Sequence, residues 1–147
     1  MNLYAESSAV LAWLLGESVQ AKVVTALQGA EHIYTSALTP VECARGLAVA
    51  RRSDRITQVE ELAALRVLDY ALTSWNVYDV SEDVLHGARS QFPAEPVRTL
   101  DAIHLATAVR IRTALRDLTM CSLDQRIRQN ADSLGIPLTP LSATSKA

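Results

Sequence analysis

The sequence predicts a single α/β domain built on a short, mainly parallel sheet of four to five strands, covered by helices on both faces. Three observations carry this. Short apolar segments alternate with helical ones along the chain, an order that needs crossover connections and so favours parallel strands. The 147 residues, 49% of them hydrophobic, suffice for one buried core. No linker, internal repeat or Gly-rich phosphate loop interrupts the pattern, and neither GxGxxG nor GxxxxGK[ST] occurs.

Leu3-Tyr4-Ala5 is a first strand, and Ser7 or Ser8 can cap the helix that follows through Trp13 to Leu15, stopped by Gly16. A second helix covers about Val19 to Leu27, and His32 to Thr35 reads as the second strand. Thr39-Pro40-Val41-Glu42 has the signature of a capping box, with Thr39 as N-cap, Pro40 first in the helix and Glu42 closing the box. That helix should run to about Arg52. The spacing of Ile56, Val59, Leu62, Ala63, Leu65 and Leu72 predicts a long helix to Thr73. Val77 to Val80 is the third strand, and Ser81 caps a helix over Glu82 to Gln91. Pro93 and Pro96 bracket a loop, after which Thr99 caps an apolar helix to about Leu115. Leu118 to Cys121 is the fourth strand, Asp124 opens a helix ending at Gly135, and Pro137 to Leu138 adds a fifth strand. Residues 1–141 are expected to form the domain and 142–147 a flexible tail.

Composition narrows the function classes. Fourteen basic and 16 acidic residues give a net charge of −2, which excludes a strongly basic nucleic-acid clamp. One Phe, two Trp and four Tyr are too few for a base-stacking platform. The apolar run Ala9 to Leu15 is too short for a membrane span and lacks the basic start of a signal peptide, so a cytoplasmic protein is expected. Cys43 and Cys121 form no CxxC and read as small buried hydrophobes; His32, His86 and His104 show no zinc-site spacing. Arginine outnumbers lysine, with Lys22 and Lys146 the two lysines. Phosphate recognition and biased codon usage both account for that, and codon usage is the simpler reading.

In parallel α/β sheets, ligands sit beyond the carboxyl ends of the strands. Four acids fall there: Glu6 after the first strand, Asp124 after the fourth, and Glu42 and Asp101 each in the first turn of a helix. Each has a plainer role open to it. Asp124 is a good N-cap, Glu42 completes the box with Thr39, and Glu6 can simply leave a strand into solvent. Asp101 is harder to explain away, because its helix is apolar on nearly all sides and a desolvated carboxylate without a partner is costly. His104, one turn on, reads as a partly buried histidine held by a hydrogen bond.

If the four converge, they need a cation. Two carboxylates about 4 Å apart repel by roughly 4 kcal/mol at an effective dielectric near 20. Arg45, Arg98 and Arg126 are close enough in sequence to relieve this, and protonation is another relief. A hard divalent ion is the third; an all-oxygen set without His or Cys selects Mg2+ or Mn2+. Such an ion can activate a water for in-line attack on a phosphodiester. Setting the four acids aside from the 16 leaves 12 against 14 basic residues, so the rest of the chain is +2.

At this point the sequence resembles the PIN-domain ribonucleases, and among them the VapC-type toxins of bacterial toxin–antitoxin pairs. The blocks that carry the resemblance are LYAESSAVLAWLLGE, TSALTPVECARGLAVARR from Thr35, RTLDAIHLATAVR from Arg98 and CSLDQRIRQNADSLGI from Cys121. None is specific alone; the ordered set is. The resemblance implies a three-layer α/β/α sandwich and Mg2+- or Mn2+-dependent cleavage of RNA by a quartet at Glu6, Glu42, Asp101 and Asp124. It implies a homodimer and a VapB-like antitoxin whose C-terminal segment fills the groove. Ser7 or Ser8 and Ser122 stand where the family carries small hydroxyl residues, which either support the ion's water or cap helices. One departure is visible: the first acid is Glu6, where the family more often has Asp. A second reading is a PIN-fold module whose main role is to dimerise and bind the antitoxin. A receiver-type phosphoacceptor lacks its lysine after the last strand.

Overall fold

The computed structural model describes residues 1–141; the tail expected at 142–147 lies outside them. The elements are β1 (Asn2–Ala5), α1 (Ser7–Leu15), α2 (Gln20–Gly29), β2 (His32–Ser36), α3 (Leu38–Arg52), α4 (Gln58–Leu72), β3 (Asn76–Tyr78), α5 (Glu82–Ala88), α6 (Thr99–Leu115), β4 (Thr119–Cys121), α7 (Gln125–Ser133) and β5 (Leu138–Thr139). The five strands form one sheet in the order β3-β2-β1-β4-β5, and every pairing is parallel. The order reverses at β1, which lies between β2 and β4. The crevice over that point is where such sheets bind ligands.

Alternation along the central strand assigns the two faces. Tyr4 joins Leu105, Ile111, Met120 and Ile127 in the core under α6 and α7. Leu3 and Ala5 point the other way, against Val23 and Ala26 of α2 and against Val10, Cys43 and Leu68 of α1, α3 and α4. The result is the three-layer sandwich, and α5 adds to it by packing Val84 on Ile103 and Ala106. Each large aliphatic side chain buried in these clusters contributes about 1.5–3 kcal/mol.

Several boundaries differ from expectation for local reasons. The third strand is Asn76–Tyr78, not Val77 to Val80, because Val80 packs against Val84 and Ile103 instead of extending the ladder. Ser81 does cap α5, accepting from the Val84 amide at 3.3 Å, but the helix ends at Ala88. The fifth strand is one residue later than expected, because Pro137 can give only its carbonyl, to Met120 N at 2.7 Å. Neither Ser7 nor Ser8 caps α1; that N-cap is Glu6. Thr99 is the first residue of α6, and its N-cap is Arg98. The box expected at Thr39 is absent, since α3 starts earlier, from Ala37. A complete capping box stands instead at Thr57 and Glu60, at the start of α4.

Candidate active site

Glu6 leaves β1 over the switch point and is only 4% exposed. Its carboxylate accepts from the Ser8 amide at 3.1 Å, from the Ser122 hydroxyl at 2.7 Å, and from the Ser8 hydroxyl. The same Ser8 oxygen accepts from the amides of Leu123 and Asp124 at 2.9 and 3.2 Å. One buried carboxylate thereby ties the β1–α1 corner to the β4–α7 corner. Burial pushes the Glu6 carboxyl above the ordinary range, against the lowering pull of His104, Ser122 and Ser8.

Glu42 faces the same space from α3. Its Oε1 lies 2.6 Å from His104 Nε2 and accepts from the Ser7 hydroxyl at 2.9 Å. Burial would raise this carboxyl, but the hydrogen bond and charge of His104, with Ser7, outweigh it and hold the group below the ordinary range. His104 is fully buried, and its Nδ1 lies 2.8 Å from the Tyr4 hydroxyl. An ionised carboxylate can only accept, so Nε2 carries the proton directed at Glu42. Both ring nitrogens thus have a partner, Glu42 at Nε2 and the Tyr4 hydroxyl at Nδ1. Burial first, then the Glu6 charge, raises the Tyr4 hydroxyl well above its ordinary value and keeps it protonated. Thr39, freed from capping, lies 2.7 Å from the Thr35 hydroxyl, which also donates to the Ala5 carbonyl at 2.6 Å.

Asp101, in the first turn of α6, is 8% exposed and accepts from Arg98 Nε at 3.2 Å. Residues from Ala102 to Ala108 are buried throughout, which is the all-round apolar helix its sequence predicts. Asp124 is the N-cap of α7, with Oδ1 accepting from the Arg126 and Ile127 amides at 2.9 and 3.0 Å. The capping role read from the sequence is therefore occupied.

All four carboxylates line one cavity of about 200 Å3, together with Ser7, Ser8, Leu11 and Arg98. They share a cavity without closing on one point: among the described residues no group of three or more His, Cys, Asp or Glu side chains is arranged to hold a metal ion. Glu6 is held by hydroxyls, Glu42 by imidazole, Asp101 by guanidinium and Asp124 by amides. Of the arginines named from sequence, Arg98 does relieve one of the acids. The donor chemistry fits a hard divalent ion, since every side chain that could ligate it presents oxygen. His104 turns its nitrogens to Tyr4 and Glu42 instead. Its position as the node between Tyr4, Ser7 and Glu42 was not legible in sequence beyond its place one turn after Asp101.

Comparison with known proteins agrees with this architecture. A family model described as the PIN domain matches residues 3–132, from β1 into α7. The chain is 34% identical to Ribonuclease VapC46 of Mycobacterium tuberculosis over 134 residues, 91% of this chain and 93% of the relative. The crystal structure of VapC20 from the same species, described as a sarcin-ricin loop cleaving toxin, matches with a TM-score of 0.59 at 15% identity, covering 86% of this chain and 93% of that one. A toxin–antitoxin complex from Klebsiella pneumoniae contains a chain matching with a TM-score of 0.57 at 16% identity, over 97% and 96% of the two chains. At such identities the two structures speak to the fold alone. Among the described residues no single helix is long and apolar enough to cross a membrane.

Proposed function

The chain belongs to the PIN-domain family, and from that premise we propose that it is a Mg2+- or Mn2+-dependent endoribonuclease, the toxin of a toxin–antitoxin pair. The observation that carries the reading is the common cavity at the strand ends, walled by Glu6, Glu42, Asp101 and Asp124. Those four residues would hold the ion. When bound, such an ion supplies Lewis acidity for in-line hydrolysis of a phosphodiester. Around it, Ser8 and Ser122 orient Glu6, while Ser7 and His104 orient Glu42. Arg98 holds Asp101 and neutralises it while no other cation does so. The proposed partners are an RNA substrate, a VapB-like antitoxin and a second copy of the chain, and the proposed compartment is the cytoplasm.

The test is cleavage of single-stranded RNA on addition of Mn2+ or Mg2+, expected for the parent and abolished in Asp101→Asn. Full metal-dependent activity in that variant would remove Asp101 from the site. One observation favours a second reading, a PIN module that mainly dimerises and docks its antitoxin: every carboxylate already has a protein partner, and no three form a ligand group. A thermal melt separates the two, because an ion that binds only the native state raises its stability. An upward shift at millimolar Mn2+ supports the nuclease; its absence supports the module.

A further inference from the structure

A second cavity, of about 390 Å3, opens beside the acidic one and is lined by Arg98, Asp124, Gln125 and Arg126. Arg98 and Asp124 belong to both cavities. The second has the opposite character, with two guanidinium groups and a side-chain amide facing one carboxylate. That carboxylate is already engaged by the Arg126 and Ile127 amides. We propose that this cavity is a phosphodiester subsite that holds the RNA backbone next to the bond being cut. The proposal rests on the nuclease reading and adds to it the residues that would grip the substrate.

The two arginines are built for that task. They project from the starts of different helices, Arg98 as the N-cap of α6 and Arg126 as the second residue of α7, so they approach the cavity from separate elements. Each is anchored at one point. Arg98 uses Nε on Asp101, and Arg126 uses Nη1 on the Pro96 carbonyl. A guanidinium carries five N–H donors in a planar fork, so among the hydrogen bonds of the described residues most of each fork remains for a ligand. The anchors limit rotamer freedom, which reduces the entropy lost when a phosphate is gripped in the bidentate geometry that arginine favours. At α7 the helix amides cannot do the same work, because Asp124 has taken those of Arg126 and Ile127. The Arg98 side chain is 79% exposed, so a substrate can reach it. A chain with no net positive charge thereby keeps two guanidinium forks beside its acidic cavity, and part of its arginine excess has a role.

The test is binding rather than turnover. Fluorescence anisotropy of a labelled single-stranded oligoribonucleotide, with the full chain in EDTA, is followed across a salt titration. Each phosphate contact contributes about 0.7 to the slope of log K against log salt on a single strand, equivalent to about fivefold in affinity at 0.1 M salt. Arg126→Gln is expected to lose about that slope and that affinity, and Arg98→Gln the same. Arg126→Lys keeps the slope, because the point charge remains. Arg116→Gln, at the far end of α6, is the control and leaves both unchanged. An unchanged slope in Arg126→Gln overturns the proposal, as does a parent that binds no RNA. If the variants instead lose binding of an acidic peptide while RNA binding persists, the cavity serves a protein carboxylate and the proposal also fails. A parent that binds RNA through these arginines yet cleaves none with Mn2+ refutes the nuclease reading and leaves the cavity as an RNA-backbone site with no bond to cut beside it.

Discussion

Replacing His104 with Leu should destabilise this protein more than most single core changes, even though the two side chains are close in size. The ring is fully buried and lies 2.6 Å from Glu42 Oε1, 2.8 Å from the Tyr4 hydroxyl and 3.1 Å from the Ser7 hydroxyl. Leu offers none of them a polar atom. The Ser7 hydroxyl keeps Glu42 and Thr39 within reach, and the Tyr4 hydroxyl keeps the side chains of Thr107 and Ser36, so what is lost is one hydrogen bond of Tyr4 and one of Glu42. A neutral hydrogen bond is worth about 0.5–1.5 kcal/mol, and one to a charged group about 1.5–3 kcal/mol. Together these give about 2–4.5 kcal/mol, a large share of a total stability of roughly 5–15 kcal/mol. Urea unfolding in EDTA measures it, with fluorescence of the Trp13–Trp75 pair, whose ring centroids lie 6.1 Å apart, as reporter. Tyr4→Phe alone should cost about 1–2 kcal/mol. The double variant should cost about 1 kcal/mol less than the sum, because it removes both ends of one hydrogen bond. A loss under about 1 kcal/mol for His104→Leu, or additivity within about 0.3 kcal/mol, would refute the account of this node.

Three further outcomes follow from the same site. The folded pKa of Glu6 is raised and that of Glu42 lowered, so the stability Glu6 contributes is present at acid pH and lost as pH rises through its folded value. The contribution of Glu42 is present above the ordinary carboxyl range and lost as pH falls through its own folded value. In EDTA, Glu6→Gln should therefore raise the melting temperature at pH 7 with a gain that fades in acid, and Glu42→Gln should lower it with a loss that fades in acid; matching pH profiles for the two would contradict both assignments. Asp124→Ser keeps an N-cap acceptor and should change stability by only about a few tenths of a kcal/mol, whereas Asp124→Ala should cost about 0.5–2 kcal/mol. Both should lose RNA cleavage if the carboxylate serves the ion, and retained cleavage in Asp124→Ser would leave Asp124 as a cap alone. At Gly46, a Cβ would lie 2.4 Å from Leu11 Cδ2, and Leu11 also lines the acidic cavity. The atoms to be displaced are the end of a half-buried leucine beside open space, so overpacking costs only about 1 kcal/mol and offsets the roughly 1 kcal/mol gained in helix propensity; chemical denaturation of Gly46→Ala should show a change of less than about 1 kcal/mol, and a larger loss would mean that Leu11 is held in place.

Much of the architecture was legible because it follows from local rules. The alternation of short apolar segments with amphipathic ones specified parallel strands, and Ser81 and Asp124 capped their helices where a capping residue should. The Thr57-x-x-Glu60 signature opens α4, and the apolar spacing of that helix marks it independently. Thr39 and Glu42 show the limit of such rules. They carry a valid capping box, yet α3 starts at Leu38 and both side chains turn inward. The box is worth about 1 kcal/mol. Turning them outward would strip His104, Thr35 and Ser7 of one buried hydrogen-bond partner each, which together costs more.

The sequence by itself determined that four acids would stand at the carboxyl ends of the strands, since that depends on element order and on which residues begin each helix. What each acid touches was decided only in three dimensions. Glu42 meets a histidine 62 positions away, and that histidine meets a tyrosine 100 positions from it. Of the three arginines near the acids in sequence, Arg98 is the one whose guanidinium meets Asp101. The reason is physical. Capping and periodicity are properties of neighbouring backbone, fixed within a turn or two, whereas a buried carboxylate takes its partner from whichever distant donors the packed layers bring within 3 Å. That is also why the cavity holds acids with four different partners rather than a closed ligand set.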